Sequence, residues 1–223
     1  MLTVHHLNHS RSQRILWLLE ELQVPYEIKK YERDTQTRRA PSELLAISPL
    51  GKAPVITDGD VTLAESGAIV EYVIAKYGNG KAVPSEAGYL DNLYFNHYAE
   101  GSLMPILVQK YIFDAVPKNV PFYIRPIVNM VFGQLDSRII QPELKKHLAM
   151  VEAHLEKSQS NWFAGGQEPT SADYQMAFPL EAIVHVAPTA VGPLIKKYVK
   201  VIHNREAYKK ALEKGGEYAY AKL

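Results

Sequence analysis

The 223-residue sequence predicts a small α/β unit followed by an all-helical domain, and three observations carry that reading. Period-two and helix-period apolar patterns alternate through residues 1–78. Residues 79–87, "NGKAVPSEA", are poor in apolar side chains and punctuated by glycine and proline, the composition of a linker. Beyond the linker strand signals vanish. Residues 88–223 instead show apolar stripes at helical spacing, such as Leu144, Leu148, Val151 and Leu155.

Residues 2–6 open as a β-rich run. Residues 15–22 form a dense apolar helix whose wet side is assigned to Arg14, Glu20 and Glu21. "PYEIKKY", residues 25–31, alternates with period two and is a strand. Pro41 suits the start of a short helix over residues 42–47, because its fixed φ fits the first helical turn. Residues 55–57 and 61–63 flank Asp58-Gly59-Asp60 as a hairpin, and "ESGAIVEYVIAKYG" is a helix ended by Gly78 as its C-cap. The order is therefore β-α-β-α-β-β-α. In the second domain further helices are expected over residues 91–113, 171–186 and 193–213. Pro105, Pro117, Pro121, Pro126 and Pro188 are expected to kink or separate them.

Composition excludes several functions. Lys and Arg total 25 against 24 acidic residues, with no long basic block, which argues against nucleic acid as the main partner. Cysteine is absent, so no disulfide, zinc–thiolate site or cysteine nucleophile is available, and sulfur chemistry must arrive with a ligand. No G-x-S-x-G, G-x-G-x-x-G or P-loop is present, which removes the hydrolase and nucleotide-binding readings. The start "MLTVHHLNHS" has no secretory pattern, and no uncharged apolar run approaches the ~18 residues of a membrane span. A cytoplasmic location is expected. The last residues, "AKL", differ at one position from the peroxisomal address Ser-Lys-Leu, so a peroxisomal location stands beside it; otherwise they are an ordinary tail.

Three stretches can carry chemistry. In "GKAPV", Pro54 opens a strand although it cannot donate to the ladder. A cis bond there would turn the backbone of Ala53 outward, where a peptide-like ligand docks as an extra strand; a trans proline at an edge is the alternative. In "LAESGAI", Glu65 and Ser66 stand where a strand meets a helix N-terminus. Free N–H groups, a hydroxyl and a carboxylate there suit an α-amino acid head group, or they merely cap the helix. In "VHHLNHSRSQR", Asn8, His9, Ser10 and Ser12 lead into the first helix, whose dipole favours an anion. A metal is not expected, since His5 and His6 point to opposite faces of a strand and no ligand set completes either.

The β-α-β-α-β-β-α start, the stretch "ISPLGKAPVITDGDVTLAESGAIVEYV", the linker and the helical domain together resemble a cytosolic glutathione transferase, over essentially the whole chain. "HHLNHSRSQRILWLLEEL" and "YERD" are similar to its serine-type, theta-related fungal and bacterial members. "TSADY" resembles the family's capping box, with Asp173 as the partner of Thr170, and that box satisfies two helix N–H groups without any functional role.

The resemblance implies a thioredoxin-like fold for residues 1–78, a helical bundle for the rest, and a homodimer. It implies glutathione as co-substrate, with no cofactor and no metal. Pro54 would be a cis proline, with Ala53 pairing its backbone to the cysteinyl unit. Glu65 and Ser66 would bind the γ-glutamyl head, and Lys52 and Arg39 the other carboxylate. Ser10, four residues before Arg14, would donate its hydroxyl to the thiolate. "HSRSQR" lacks the proline usual in this turn, and a turn one residue longer would place His9 or Ser12 there instead. The implied activity is conjugation of glutathione to small hydrophobic electrophiles, with glutathione-dependent peroxide reduction beside it. A non-catalytic ligand-binding or interaction module of the same fold is the alternative. The electrophile or hydroperoxide would lie against Met104, Val108, Tyr111 and Phe113, although such a helical stripe also reads as core.

Overall fold

Strand β1 (Leu2–Leu7) is buried on both faces, and the N-terminal domain is assembled around it. The computed structural model describes residues 1–37, 39–158 and 160–221. Its four-stranded sheet has the order β2-β1-β3-β4. Strand β2 (Tyr26–Tyr31) runs parallel to β1, with Leu2 opposite Tyr26. Strand β3 (Val55–Asp58) runs antiparallel, with His5 opposite Val55, and β4 (Val61–Ala64) closes a hairpin on it. Alternation places Leu2 and Val4 on one face, under helices α1 (Ser12–Leu22) and α3 (Ser66–Tyr77), with Ile15, Leu19, Ile69 and Val73. Leu7 points to the other face and meets Tyr31 and Leu44 of the short helix α2 (Ser42–Leu45). This is a thioredoxin-like arrangement.

Residues 78–88 carry neither helix nor strand, and among the described residues after them every regular element is a helix. Helix α4 (Tyr89–Tyr98) passes through a π turn at Ala99–Leu103 into α5 (Met104–Ala115). Pro105 sits in the first turn of α5, where its missing N–H is tolerated, so it does not separate the two. Helix α6 (Arg125–Leu135) passes through a second π turn, Asp136–Ile140, into α7 (Gln141–Ser158). The stripe Leu144, Leu148, Val151 and Leu155 is buried, as its spacing predicts. Helix α8 (Ser171–Val186) is the central post of the domain, buried from Ser171 through Ile183. Helices α9 (Pro193–Asn204) and α10 (Glu206–Gly215) complete it, and α10 packs back on α1.

Several expectations are corrected. Arg14 is 2% exposed and not on the wet side of α1, because its guanidinium is bonded into the second domain. The single helix expected over residues 193–213 breaks at Arg205, which is extended (φ −70°, ψ 135°) and pairs with Glu21 and Glu168. Gly78 is the C-cap of α3, as expected, in a right-handed conformation; a Cβ there would lie 3.1 Å from the Lys81 carbonyl, so space and not left-handed φ favours glycine. Helix α6 has no counterpart in the sequence reading and buries none of its residues completely. Phe113 meets Phe132 of α6 edge to face at 5.3 Å and is not on the wall of the cavity that Met104, Val108 and Tyr111 line. Of the "AKL" tail, Lys222 and Leu223 lie outside the described residues. Among the described residues no helix is long and apolar enough to cross a membrane.

The Thr170–Asp173 capping box is present at the N-terminus of α8. The fully buried Asp173 carboxylate accepts the Thr170 N–H at 2.8 Å, the Phe163 N–H at 3.0 Å and the Tyr198 hydroxyl at 3.3 Å. Asp173→Ala removes the cap and strands these donors. Its expected cost is about 2–4 kcal/mol in urea unfolding; a loss below about 1 kcal/mol would show that the donors find other partners.

Candidate functional site

The turn between β1 and α1 is pinned before it offers anything to a ligand. The Asn8 N–H donates to the Tyr31 carbonyl at 3.1 Å, and Asn8 Oδ1 accepts the Arg33 N–H at 3.1 Å. His9 then takes a left-handed conformation (φ 50°), which delivers Ser10 to the mouth of the first helix. Ser10 Oγ accepts the N–H of Ser12, the first residue of α1, at 3.2 Å. It also lies 2.6 Å from Ser12 Oγ, which is itself 2.7 Å from His6 Nδ1. All three side chains are buried. His6 and His5 diverge as strand alternation requires: His5 Nδ1 meets the Tyr31 hydroxyl at 2.8 Å on the opposite face.

Across from this turn the Ala53–Pro54 bond is cis. Gly51 precedes it in a left-handed conformation (φ 57°), where a Cβ would come within 2.9 Å of Leu45. Ser10, Arg39, Lys52 and Ala53 all line one cavity of about 490 Å³, closed by Phe178 of the second domain. Arg11 and Arg33 also reach it, and no carboxylate is on its wall among the described residues. Its wall is cationic. Pro54, Glu65 and Ser66 are not on that wall.

Glu65 precedes α3 in a left-handed conformation (φ 71°) with its side chain exposed, and it forms no side-chain cap, contrary to the capping reading. The buried Ser66 hydroxyl donates to Gln175 Oε1 at 3.3 Å and accepts Arg14 Nη1 at 3.2 Å. The sequence reading gave Arg14 no role at the site beyond marking the position of Ser10. Arg14 Nη1 also donates to Glu100 Oε1 at 2.9 Å and to Gln175 Oε1. Arg11 Nε grips the same Glu100 carboxylate at 2.9 and 3.0 Å, and both arginines lie over the Phe178 ring. Burial pulls the Arg14 guanidinium below its ordinary value, and the Glu100 carboxylate opposes that pull.

A second cavity of about 620 Å³ adjoins the first, sharing His9, Arg11, Arg33 and Phe178 with it. Met104, Val108 and Tyr111 line it as expected, together with Ile183, Val186 and Tyr220. Val108 and Tyr111 are exposed and do not belong to the core. No signal in the sequence marked Phe178 or Tyr220, because their role depends on how α8 and the C-terminal segment meet the first domain.

Residues 1–75 match the family profile described as "Glutathione S-transferase, N-terminal domain". Glutathione S-transferase 3 of Schizosaccharomyces pombe is 36% identical over 217 residues, an overlap that covers 96% of this chain and 88% of that protein. Glutathione S-transferase 1 of Saccharomyces cerevisiae is 34% identical over 225 residues, covering 96% and 95%. A crystal structure of a glutathione S-transferase from Actinobacillus pleuropneumoniae superposes with a TM-score of 0.76 at 32% identity, covering 100% of this chain and 97% of that one.

The buried imidazole behind Ser10 has a measurable consequence. Burial, then Lys30 in register on β2, then His9, pull His6 down to about 4. The unfolded chain binds this proton near the ordinary value of about 6.5, the folded chain only near 4. Stability is therefore full above about pH 6.5 and is lost as pH falls toward 4. His5, lowered by burial and Lys29, adds the same sign. Urea unfolding from pH 7 to 4 is expected to show a loss assignable to His6 of roughly 3 kcal/mol, isolated by comparison with His6→Asn. Parallel pH profiles for the two proteins would contradict it.

Proposed function

Because this chain belongs to the glutathione S-transferase family, we propose that it holds the glutathione thiolate at Ser10 and passes it to a small hydrophobic electrophile in the adjoining cavity. The observation that carries this reading is the shared wall. Ser10 lines the cationic cavity, and the apolar cavity opens across His9, Arg11, Arg33 and Phe178. A sulfur beside Ser10 lies next to the residues that the two cavities share. The thiolate attacks the electrophilic carbon, and the carbon takes the sulfur while its leaving group departs or its π bond accepts the electron pair.

The tripeptide carries two carboxylates and an ammonium. Arg39 and Lys52 meet the glycyl carboxylate, and the Ala53 backbone, turned outward by the cis bond that follows it, pairs with the cysteinyl unit. The γ-glutamyl head lies at the N-terminus of α3, where the Ser66 N–H and hydroxyl take its carboxylate and Glu65 its ammonium. Gln175 and Arg14 hold the Ser66 hydroxyl until then. That 3.3 Å bond to Gln175 is long enough for a charged acceptor to displace it.

The energies are adequate without a general base. A free thiol with pKa near 8.5 is only about 3% ionised at pH 7, and lowering it by two units takes about 2.7 kcal/mol. A hydroxyl bonded to a charged sulfur supplies roughly 1.5–3 kcal/mol. The N-terminus of α1 adds about 0.3–1 kcal/mol, and up to about 2 where partly buried. Ser10 is thus a donor to the thiolate and not a nucleophile.

Two outcomes are expected. Ser10→Ala should raise the pKa of bound glutathione by about one to two units, read from thiolate absorbance against pH, with binding largely intact. Turnover of an aryl halide and of a hydroperoxide should fall accordingly at neutral pH. A thiol pKa that stays put in Ser10→Ala would leave backbone amides as the activators. Ser66→Ala should weaken glutathione binding by about tenfold, the loss of one hydrogen bond to a carboxylate. Unchanged affinity by calorimetry would reduce Ser66 to a contact between the domains.

A further inference from the structure

The buried contacts behind Ser10 decide which way its proton points. A serine hydroxyl has one proton to donate and two lone pairs to offer. Ser10 Oγ already accepts the Ser12 N–H at 3.2 Å. The 2.6 Å contact between Ser10 Oγ and Ser12 Oγ holds one proton, belonging to one serine or the other. If it is the Ser10 proton, none remains for a ligand. If it is the Ser12 proton, Ser10 is free to donate outward. The choice is made one step further back, 2.7 Å away at His6 Nδ1. A bare Nδ1 draws the Ser12 proton toward itself, and Ser10 must then donate to Ser12. A protonated Nδ1 donates to Ser12, which must then donate to Ser10.

We propose that His6 and Ser12 are positioning residues for the sulfur site, forming a one-way chain from His6 Nδ1–H through the Ser12 hydroxyl to the Ser10 hydroxyl that aims the Ser10 proton at the glutathione sulfur. This rests on the reading of Ser10 as donor to the thiolate. No proton passes from one hydroxyl to the next: each keeps its own and only turns, while the single imidazole proton moves from Nε2 to Nδ1 by exchange with solvent. The thiolate selects this direction, because three aligned donor dipoles point their positive ends at the anion and polarise one another. His6 is suited to the task. It is 3% exposed, with Lys30 across the strand pair and His9 nearby, and burial with these neighbours keeps it neutral. A neutral imidazole carries one proton and can place it on either nitrogen. Gly215 at the end of α10 sits beside the ring, where a Cβ would come within 3.5 Å of His6 Cε1. Ser12 is completely buried, so water does not compete for its hydroxyl.

The test uses the whole enzyme labelled with ¹⁵N-histidine, with the His6 signals assigned by their loss in His6→Asn. With glutathione bound at pH 7.5, His6 is expected to carry its proton on Nδ1. S-Methylglutathione fills the same site without a thiolate and is expected not to drive that tautomer. In Ser12→Ala the tautomer should no longer respond to glutathione. The pKa of the bound thiol should rise by about half a unit there, a roughly threefold smaller thiolate-to-thiol ratio, while the affinity for S-methylglutathione stays unchanged. A purely structural role for Ser12 would move affinity or folding and leave the tautomer response in place. Retention of the Nε2–H form in the glutathione complex overturns the chain, as does a thiol pKa that moves in Ser10→Ala but not in Ser12→Ala. A pKa unmoved in both variants overturns the Ser10 reading as well.

Discussion

A guanidinium removed from water holds the two domains in register. Arg14 leaves the first turn of α1 and bonds through Nη1 to Ser66 of α3, to Glu100 of the first π turn and to Gln175 of α8. These four residues come from four separate elements. Burying an ion is costly unless it is paired, and removing one partner of such a pair costs more than the pair itself contributes. The arrangement therefore tolerates little displacement of α8 relative to the sheet. That constraint matters because the site is made of both domains: Phe178, three residues after Gln175, closes the cationic cavity and walls the apolar one. Arg11 repeats the grip on Glu100 from the surface side, where its side chain is 35% exposed and solvent weakens the pair.

The turn at residues 8–12 is economical in the same sense. Each polar side chain in it that is fixed has a separate partner: Asn8 ties the turn to the end of β2, Arg11 to the second domain, and Ser12 to the imidazole beneath. Ser10 is the serine of this turn that lines the cavity. The cations of that cavity come from three places in the chain, Arg11 after β1, Arg33 and Arg39 after β2, and Lys52 before the cis bond. A thioredoxin-like sheet brings these connections to one end because β1 and β2 are parallel and both finish there.

The fold was legible wherever a pattern had one dominant cause. Period-two runs gave the strands, and the stripe at Leu144, Leu148, Val151 and Leu155 gave the face of α7. Failures occurred where tertiary contacts override local pattern. Arg14 looks like a surface cation because its partners lie 52, 86 and 161 residues away. Helix α6 carries apolar residues on an exposed face, Phe122 at 81% just before it and Ile127 at 63%, so no clean stripe marks it. The break at Arg205 depends on Glu21 and Glu168, which no local window includes. At the site, Ser10, Arg39, Lys52 and Ala53 followed from motif and position and share a wall, whereas the chain behind Ser10 depended on hydroxyl and imidazole geometry. The two serines and His6 were visible as a cluster. Which of them touches which was not.

The two halves of the site are built on different physics, and this divides their tasks. The cationic half consists of charged and hydroxyl donors, of which Ser10 is held by buried hydrogen bonds. A site of that kind rejects a ligand lacking the matching groups strongly, because its own polar atoms are then left unpaired. The other half is lined by Met104, Val108, Ile183 and Val186, with the Tyr111 side chain 73% exposed at its edge. Of the charges on its wall, Lys110 is paired with Asp114 at 2.5 and 2.6 Å, and Arg11 with Glu100. Apolar walls discriminate by only about 1–3 kcal/mol per methylene, and methionine repacks around different shapes. Under the proposed function, selectivity is then concentrated on the tripeptide, and on the side of the electrophile reactivity with a positioned thiolate decides more than shape does.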